Sequence, residues 1–208
     1  DDKERMLDLN HANPIAQLVG ATGASLRVRH EPGAQKKPLA VRIETRYVAQ
    51  APGSQVAASA HGFVITRELQ HFQGQNKLAA KILLDTPDKV LRLTVGDVVE
   101  DHVVVVTPDA THHVAIAVPL AAGLEPLNPR LATAPPEATP TGTLTLAPSY
   151  AAYLDDQVVF YYDTLPKGTY HFYFRTRATV AGHYTQPAAR AELMYNEAVY
   201  GTTPGARI

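Results

Sequence analysis

Two adjacent histidines, His112 and His113, are the residues in this chain that most suggest chemistry. They stand out among nine histidines because imidazole is a common metal ligand. Neighbouring residues on a strand point to opposite faces, however, so we expect the two rings to diverge. The chain also lacks the H-E-x-x-H spacing of a helical zinc site. The sequence therefore predicts no metal ligands and no cofactor.

A pair of carboxylates, Asp155 and Asp156, could in principle perform acid–base catalysis. An acidic pair just before a strand more often accepts hydrogen bonds from the backbone of a turn. The chain has no G-x-S-x-G motif, P-loop or dinucleotide-binding fingerprint. We therefore assign no catalytic residues and expect a protein that is not an enzyme.

A basic face formed by His171, Arg175 and Arg177 could bind an anion. The three residues alternate along one strand pattern, which gives them a common side. The simpler expectation is that this face is solvated, or that it is paired with Glu192 across strands. We therefore predict no anion site there.

Composition narrows the class of protein further. The chain has 208 residues, of which 45% are hydrophobic and 19% charged, as in a folded domain. A formal net charge of −1 gives no reason to expect nucleic acid or an acidic membrane surface as a partner. No apolar run is long enough to insert into a membrane, and the absence of cysteine excludes disulfides. Because the chain opens on Asp1 without a methionine, we expect a processed product or a piece of a longer protein.

The clearest structural element is the segment that follows the turn Leu165–Gly168. Proline and glycine in that turn favour a chain reversal. After it, Tyr170, Phe172, Phe174 and Thr176 alternate with polar and basic residues, which is typical of a half-buried antiparallel strand. With the upstream run 157–163, the turn predicts a β-hairpin.

Similar short runs predict an all-β antiparallel β-sandwich over residues 59–208. We count about seven strands between residues 60 and 200, including runs at 62–72, 90–94, 98–107, 113–118 and 183–195. Residues 103–106 are apolar on both faces, and 126–148 reads as an extended surface loop. The predicted core includes Val103, Val105, Ile116, Phe160, Tyr170, Phe172 and Phe174.

Residues 1–58 are predicted to form a small β appendage before the sandwich. Two alternating runs, Ala24–His30 and Leu39–Tyr47, would make a two-stranded piece, which is marginal without a sheet to join. Residues 49–60 are small and polar and read as a linker.

Four blocks in order resemble the C-terminal macroglobulin-like domain of bacterial alpha-2-macroglobulins, which are protease-trapping inhibitors of the cell envelope. The blocks are 119–131 (PLAAGLEPLNPRL), 153–160 (YLDDQVVF), 165–170 (LPKGTY) and 187–195 (PAARAELMY), with Gly201 after them. Residues 1–58 are loosely similar to the strands that return from the thioester domain into its supporting β-domain.

The resemblance implies a non-catalytic role. The family's thioester needs a cysteine, which this chain lacks, so the chain carries no thioester itself. The resemblance implies instead that it packs against the thioester domain of a parent protein. A methionine–tyrosine pair in this domain shields the bond in the family, and it corresponds to Met194 and Tyr195. Target proteases would be met only through the full-length protein, which we expect in the periplasm or cell envelope, anchored to the membrane.

Two other functions stay open from the residues themselves. A free-standing carbohydrate-binding or adhesive sandwich would need exposed aromatic residues along one sheet face, for which the candidates are Tyr153, Tyr161, Tyr173 and Tyr184. A structural spacer in a surface protein would have no functional residues at all.

Overall fold

The computed structural model describes residues 57–73, 77–86 and 88–208. Over these ranges the regular structure consists of thirteen β-strands and one 3-10 turn, Pro136–Ala138. The predicted all-β antiparallel class is therefore confirmed. The appendage predicted for residues 1–58 lies outside the described residues, except for positions 57 and 58.

Two antiparallel sheets contain most of the strands. The first sheet has six strands in the order β1 (Ser59–His61), β12 (Asn196–Thr202), β11 (Arg190–Leu193), β5 (Thr111–Pro119), β8 (Gln157–Leu165) and β7 (Tyr150–Tyr153). The second has five, in the order β3 (Lys77–Leu83), β2 (Val64–Gln73), β4 (Val98–Thr107), β9 (Gly168–Ala178) and β6 (Leu124–Leu127). A short pair, β10 (Thr185–Gln186) and β13 (Ala206–Arg207), forms a third sheet.

The core is made by the inward residues of strands from both large sheets. Because side chains alternate along a strand, each strand contributes every second residue to this layer. The rings of Phe160 on β8 and Phe172 on β9 meet there, with centroids 5.1 Å apart. All seven predicted core residues are buried, as expected: Val103, Val105, Ile116, Phe160, Tyr170, Phe172 and Phe174.

The turn Leu165–Gly168 does not join a hairpin, and this prediction was wrong. Strand β8 belongs to the first sheet and β9 to the second, so the chain crosses between sheets at the turn. Both strands carry an aromatic face, and the two faces bury each other by stacking face to face instead of side by side. The Tyr170 hydroxyl donates a hydrogen bond to the Pro166 carbonyl at 2.7 Å, which fixes the crossover.

The strand count was also wrong in several places. Residues 90–94 make only a single bridge, from Val90 to Arg207. The run 183–195 is divided between β10 and β11, and the supposed linker 49–60 includes the start of β1. Strand β3 went undetected because it is an edge strand with no fully buried residue, so its sequence shows no apolar alternation.

The run 103–106 is buried on one face only. Val103 and Val105 are fully buried, whereas Val106 is 37% exposed, because β4 turns its second face outward from the sandwich. Part of that outer face is covered by the segment 128–148, which has no strand and contains the 3-10 turn. The predicted irregular loop is therefore present from residue 128 onward, where it packs on the second sheet, whereas residues 126 and 127 of the predicted range belong to β6.

Candidate functional site

Met194 and Tyr195 occupy the tip of a tight β-hairpin. Strands β11 and β12 pair directly, and the last pair, Leu193 with Asn196, leaves only these two residues in the loop. Met194 is 46% exposed and Tyr195 81% exposed. Adjacent strand residues point to opposite faces, but the strand ends here, so both side chains are free to face one target.

The tip is supported by His113 on the neighbouring strand β5. The backbone N–H of Met194 donates to the His113 carbonyl at 2.8 Å. The imidazole of His113 meets the ring of Tyr195 edge-on, with centroids 5.3 Å apart and planes at 81°. Among the described residues, His113 is the one non-glycine residue with positive φ, at 54°. Sequence reasoning missed this supporting contact, because nothing in the pattern around His113 marks a change of backbone conformation.

The chemistry available at this tip is exclusion of water. A thioether and a phenol ring provide a large, mostly apolar surface. Such a surface can cover a reactive group on another molecule, where a dry environment slows hydrolysis.

The structure does not bring His112 and His113 together as ligands. His112 Nδ1 lies 3.1 Å from the hydroxyl of Thr164 on β8, whereas the ring of His113 packs on Tyr195. No group of three or more histidine, aspartate or glutamate side chains has metal-binding geometry within the described ranges.

Asp155 and Asp156 lie in the exposed turn between β7 and β8. The backbone carbonyl of Asp156 accepts a hydrogen bond from the Leu120 N–H at 2.8 Å, which ties the turn to the end of β5. The two residues therefore lie where they form part of a turn, and not in a setting typical of an acid–base pair.

The predicted pairing of the basic face with Glu192 was wrong. Arg175 is fully buried, and its Nε donates to Glu100 Oε2 at 2.7 Å, while Arg177 pairs with Glu137. Glu192 instead pairs with Arg190, its neighbour on β11. The reason is topological: β9 lies in the second sheet and β11 in the first, so they share no register.

A buried charged residue, Arg67, went unnoticed in the sequence. It lies on the inner face of β2, where it pairs with Asp101 and donates from Nη1 to the carbonyls of Pro119 and Pro187. Burial raises the pKa of Asp101 above its usual value, although the Arg67 guanidinium acts in the opposite direction. The sequence did contain a sign of this burial. Arg67 shares the period-2 spacing of Phe63, Ile65 and Leu69, all of which are buried.

The four candidate tyrosines do not form a row on one sheet face, and Tyr153 at the end of β7 is half-buried against the core. Tyr161 lies on the first sheet and stacks with Tyr150, whereas Tyr173 lies on the second sheet and stacks with His102. Tyr184 is in neither of these stacked pairs and lines a groove of about 760 Å³ next to Ile208. The arrangement that a carbohydrate-binding module would need is therefore missing from the described residues.

The sequence matches the family described as the bacterial alpha-2-macroglobulin MG10 domain over residues 62–197. A curated relative, an alpha-2-macroglobulin homolog from Nostoc sp., is 25% identical over 198 residues. The match covers 93% of this chain and 10% of that relative, so the chain spans about a tenth of the relative's length.

Solved structures show the same fold. One is Escherichia coli alpha-2-macroglobulin activated by porcine elastase, with a TM-score of 0.53, 19% identity, and coverage of 76% of this chain and 13% of that chain. Another is Salmonella alpha-2-macroglobulin reacted with methylamine, with a TM-score of 0.50, 19% identity, and coverage of 73% and 9%. Over the described ranges there is also no helix with the length and hydropathy of a membrane span.

Proposed function

The chain belongs to the bacterial alpha-2-macroglobulin MG10 domain family, and from that premise we propose that it is the non-catalytic C-terminal domain of a longer, protease-trapping inhibitor. In this role the domain packs against the thioester domain of the parent protein. Met194 and Tyr195 then cover the thioester and keep water away from it until the inhibitor is activated. The chain cannot supply the thioester itself, because it contains no cysteine.

The observation that supports this proposal best is the exposure of the hairpin tip. Met194 and Tyr195 are both exposed, and they stand next to each other in a loop of two residues. A large side chain that is fully buried against a partner contributes about 1.5–3 kcal/mol relative to an exposed one. Docking of the tip against another domain would therefore be favourable, and it would dry the surface that it covers.

The partners follow from the same role. Target proteases would be met by the full-length protein, of which this chain is proposed to be one domain. Neither nucleic acid nor direct membrane insertion is part of the proposal, and the net charge of −1 is consistent with this. We place the parent protein in the periplasm or cell envelope, anchored to the membrane.

The experiment is a double substitution, Met194→Ala with Tyr195→Ala, in the full-length parent. We expect faster loss of the thioester to water and methylamine, measured as release of free thiol over time. In the isolated chain the same double substitution should leave the melting temperature almost unchanged, because both side chains are exposed.

The matched control is Tyr150→Ala, which removes a 63% exposed tyrosine from the opposite edge strand of the same sheet. This variant should lose its thioester at the wild-type rate. If the double variant and the control both behave as wild type, the hairpin tip does not protect the bond and the proposal fails.

A further inference from the structure

We propose that His113 is a positioning residue that holds Tyr195 in its shielding orientation. The inference rests on the proposed function and adds a residue to it: the shield would be a group of three side chains, of which one belongs to a different strand. His113 is itself exposed, so the group forms one continuous surface at the end of the first sheet.

The first part of the argument is the backbone of His113. Its φ of 54° is in the left-handed region, which non-glycine residues rarely adopt and in which histidine is moderately enriched. Residues on either side keep the same register with β8, His112 with Thr164 and Val114 with Tyr162, while His113 itself makes no pair with β8. The local change therefore leaves the sheet intact and alters the direction of a single residue.

The second part of the argument is the pair of contacts that His113 makes in this conformation. The carbonyl of His113 accepts the N–H of Met194 at 2.8 Å, so the ladder between β5 and β11 continues to the first loop residue. The imidazole meets the ring of Tyr195 edge-on at 5.3 Å, which is a favoured geometry for two aromatic rings. Without these contacts, an 81% exposed tyrosine in a two-residue loop would sample several rotamers.

The consequence concerns the rate at which the shield fails. Removing the ring while keeping the backbone should loosen Tyr195 and leave the fold unaffected. The lost aromatic contact predicts thioester loss about 2- to 10-fold faster than in the wild type. The effect should be smaller than that of removing Tyr195 itself.

The test uses three substitutions at or beside the site. His113→Gly removes the ring and accepts a positive φ without strain. His113→Val removes the ring and also disfavours the left-handed backbone, because it is β-branched. His112→Gly is the matched control, since it removes the neighbouring exposed imidazole, which contacts Thr164 and not Tyr195.

The readout in this chain is NMR of tyrosine labelled with carbon-13 in its ring. His113→Gly should move the Tyr195 ring signals toward those of a freely exposed tyrosine, while the Met194 amide stays protected from hydrogen exchange. His113→Val should change the ring signals and also speed exchange of that amide. His112→Gly should leave both as in the wild type.

The second readout is thioester loss to methylamine in the full-length parent. Faster loss in His113→Gly, with the control at the wild-type rate, supports the positioning role. If Tyr195→Ala accelerates the loss but His113→Gly does not, the positioning role is overturned and the proposed function stands. If Tyr195→Ala itself has no effect, the positioning role is overturned as well, because His113 then has no shielding side chain to hold, while the proposed function is decided by the double variant. Unchanged Tyr195 ring signals in His113→Gly overturn the positioning role under either outcome.

Discussion

The guanidinium of Arg67 on β2 and the carboxylate of Asp101 on β4 form an ion pair on the inner face of the second sheet, with Nε 2.5 Å from Oδ1 and no solvent exposure on either side chain. Each partner still has a polar atom without a hydrogen-bonding partner in the protein, Nη2 of Arg67 and Oδ2 of Asp101. Burial raises the pKa of Asp101, with Glu100 acting in the same direction and the Arg67 guanidinium opposing both. The pair is therefore costly to break, but it adds little net stability.

This pair gives the first prediction. Either Arg67→Met or Asp101→Leu alone should lower the free energy of unfolding by about 3–5 kcal/mol, because a charge stays buried without its partner. The double variant should be much closer to the wild type. The carbonyls that Arg67 would release are still served by Gln186 Nε2, which lies 2.8 Å from the Pro119 oxygen and 3.5 Å from the Pro187 oxygen.

Urea denaturation of the three variants checks this prediction as a double-mutant cycle. Additive losses in the double variant would contradict it, since they would mean that the two charges do not interact.

The second prediction concerns the loop over the second sheet. Thr141 donates to the buried carboxylate of Glu100 twice, from its backbone N–H at 2.7 Å and from its hydroxyl at 2.6 Å. Thr141→Val keeps the shape and removes the hydroxyl bond to a charged acceptor, which should cost about 1.5–3 kcal/mol. The loop 128–148 should then open more often and be cut faster by thermolysin. The control is Thr143→Val two residues further along the same loop, where the side chain is exposed like that of Thr141, and it should be cut at the wild-type rate.

The third prediction is a dependence of stability on pH through His102. Its ring stacks on Tyr173 with centroids 4.4 Å apart, and its Nε2 is hydrogen-bonded to His171 Nδ1 at 2.9 Å. Burial lowers the pKa of His102 below its ordinary value of 6.5, and His171 acts in the same direction, while Glu68 opposes them.

The sign follows from proton counting. Because the folded-state pKa is the lower one, the unfolded chain binds more protons as pH falls below about 6.5. The free energy of unfolding should therefore decrease from that pH down to the folded-state pKa. Substituting His102→Asn should flatten this part of a stability–pH curve measured by chemical denaturation. An unchanged slope in the variant would assign the effect to other groups.

The fourth prediction tests the close approach of Gly201 on β12 to Phe63, the residue just before β2. A Cβ added at Gly201 would lie 2.4 Å from the backbone carbonyl oxygen of Phe63, which cannot move without shifting the strand. Gly201→Ala should destabilise the domain by about 1–3 kcal/mol through overpacking, seen as a lower melting temperature. Gly168→Ala is the comparison, because its nearest contact would be the Tyr170 hydroxyl at 3.4 Å. A melting temperature for Gly201→Ala equal to that of Gly168→Ala would contradict the argument.

Alternation in the sequence was enough to predict the all-β class and the seven core residues. Tyr170, Phe172 and Phe174 carry that pattern clearly, and their burial depends only on which face is apolar. Which strand lies beside which depends on contacts far apart in the chain. A local pattern is the same for a hairpin and for a crossover, so the turn at 165–168 was assigned to the wrong one.

At the candidate site, too, one part could be predicted from the sequence and another part could not. Met194 and Tyr195 were assigned through family resemblance, and their exposure at a hairpin tip is what a shield requires, while the shielding role stays a proposal. The support from His113 was not predictable, because it comes from another strand and from a backbone angle. The buried partners of Arg175 were missed for a related reason: a charged residue in a strand pattern is normally placed in solvent.

The pairing of the first described strand, β1, with β12 near residue 200 also determines when this domain can finish folding during its synthesis. Ser59 on β1 bonds to Thr202 on β12, 143 residues later. A nascent chain that has not yet released residues 196–202 therefore exposes two unpaired edges, on β1 and on β11. Unpaired edges are the surfaces through which incomplete β-domains aggregate. The first sheet can therefore be completed only after its last strand, β12, has been synthesised.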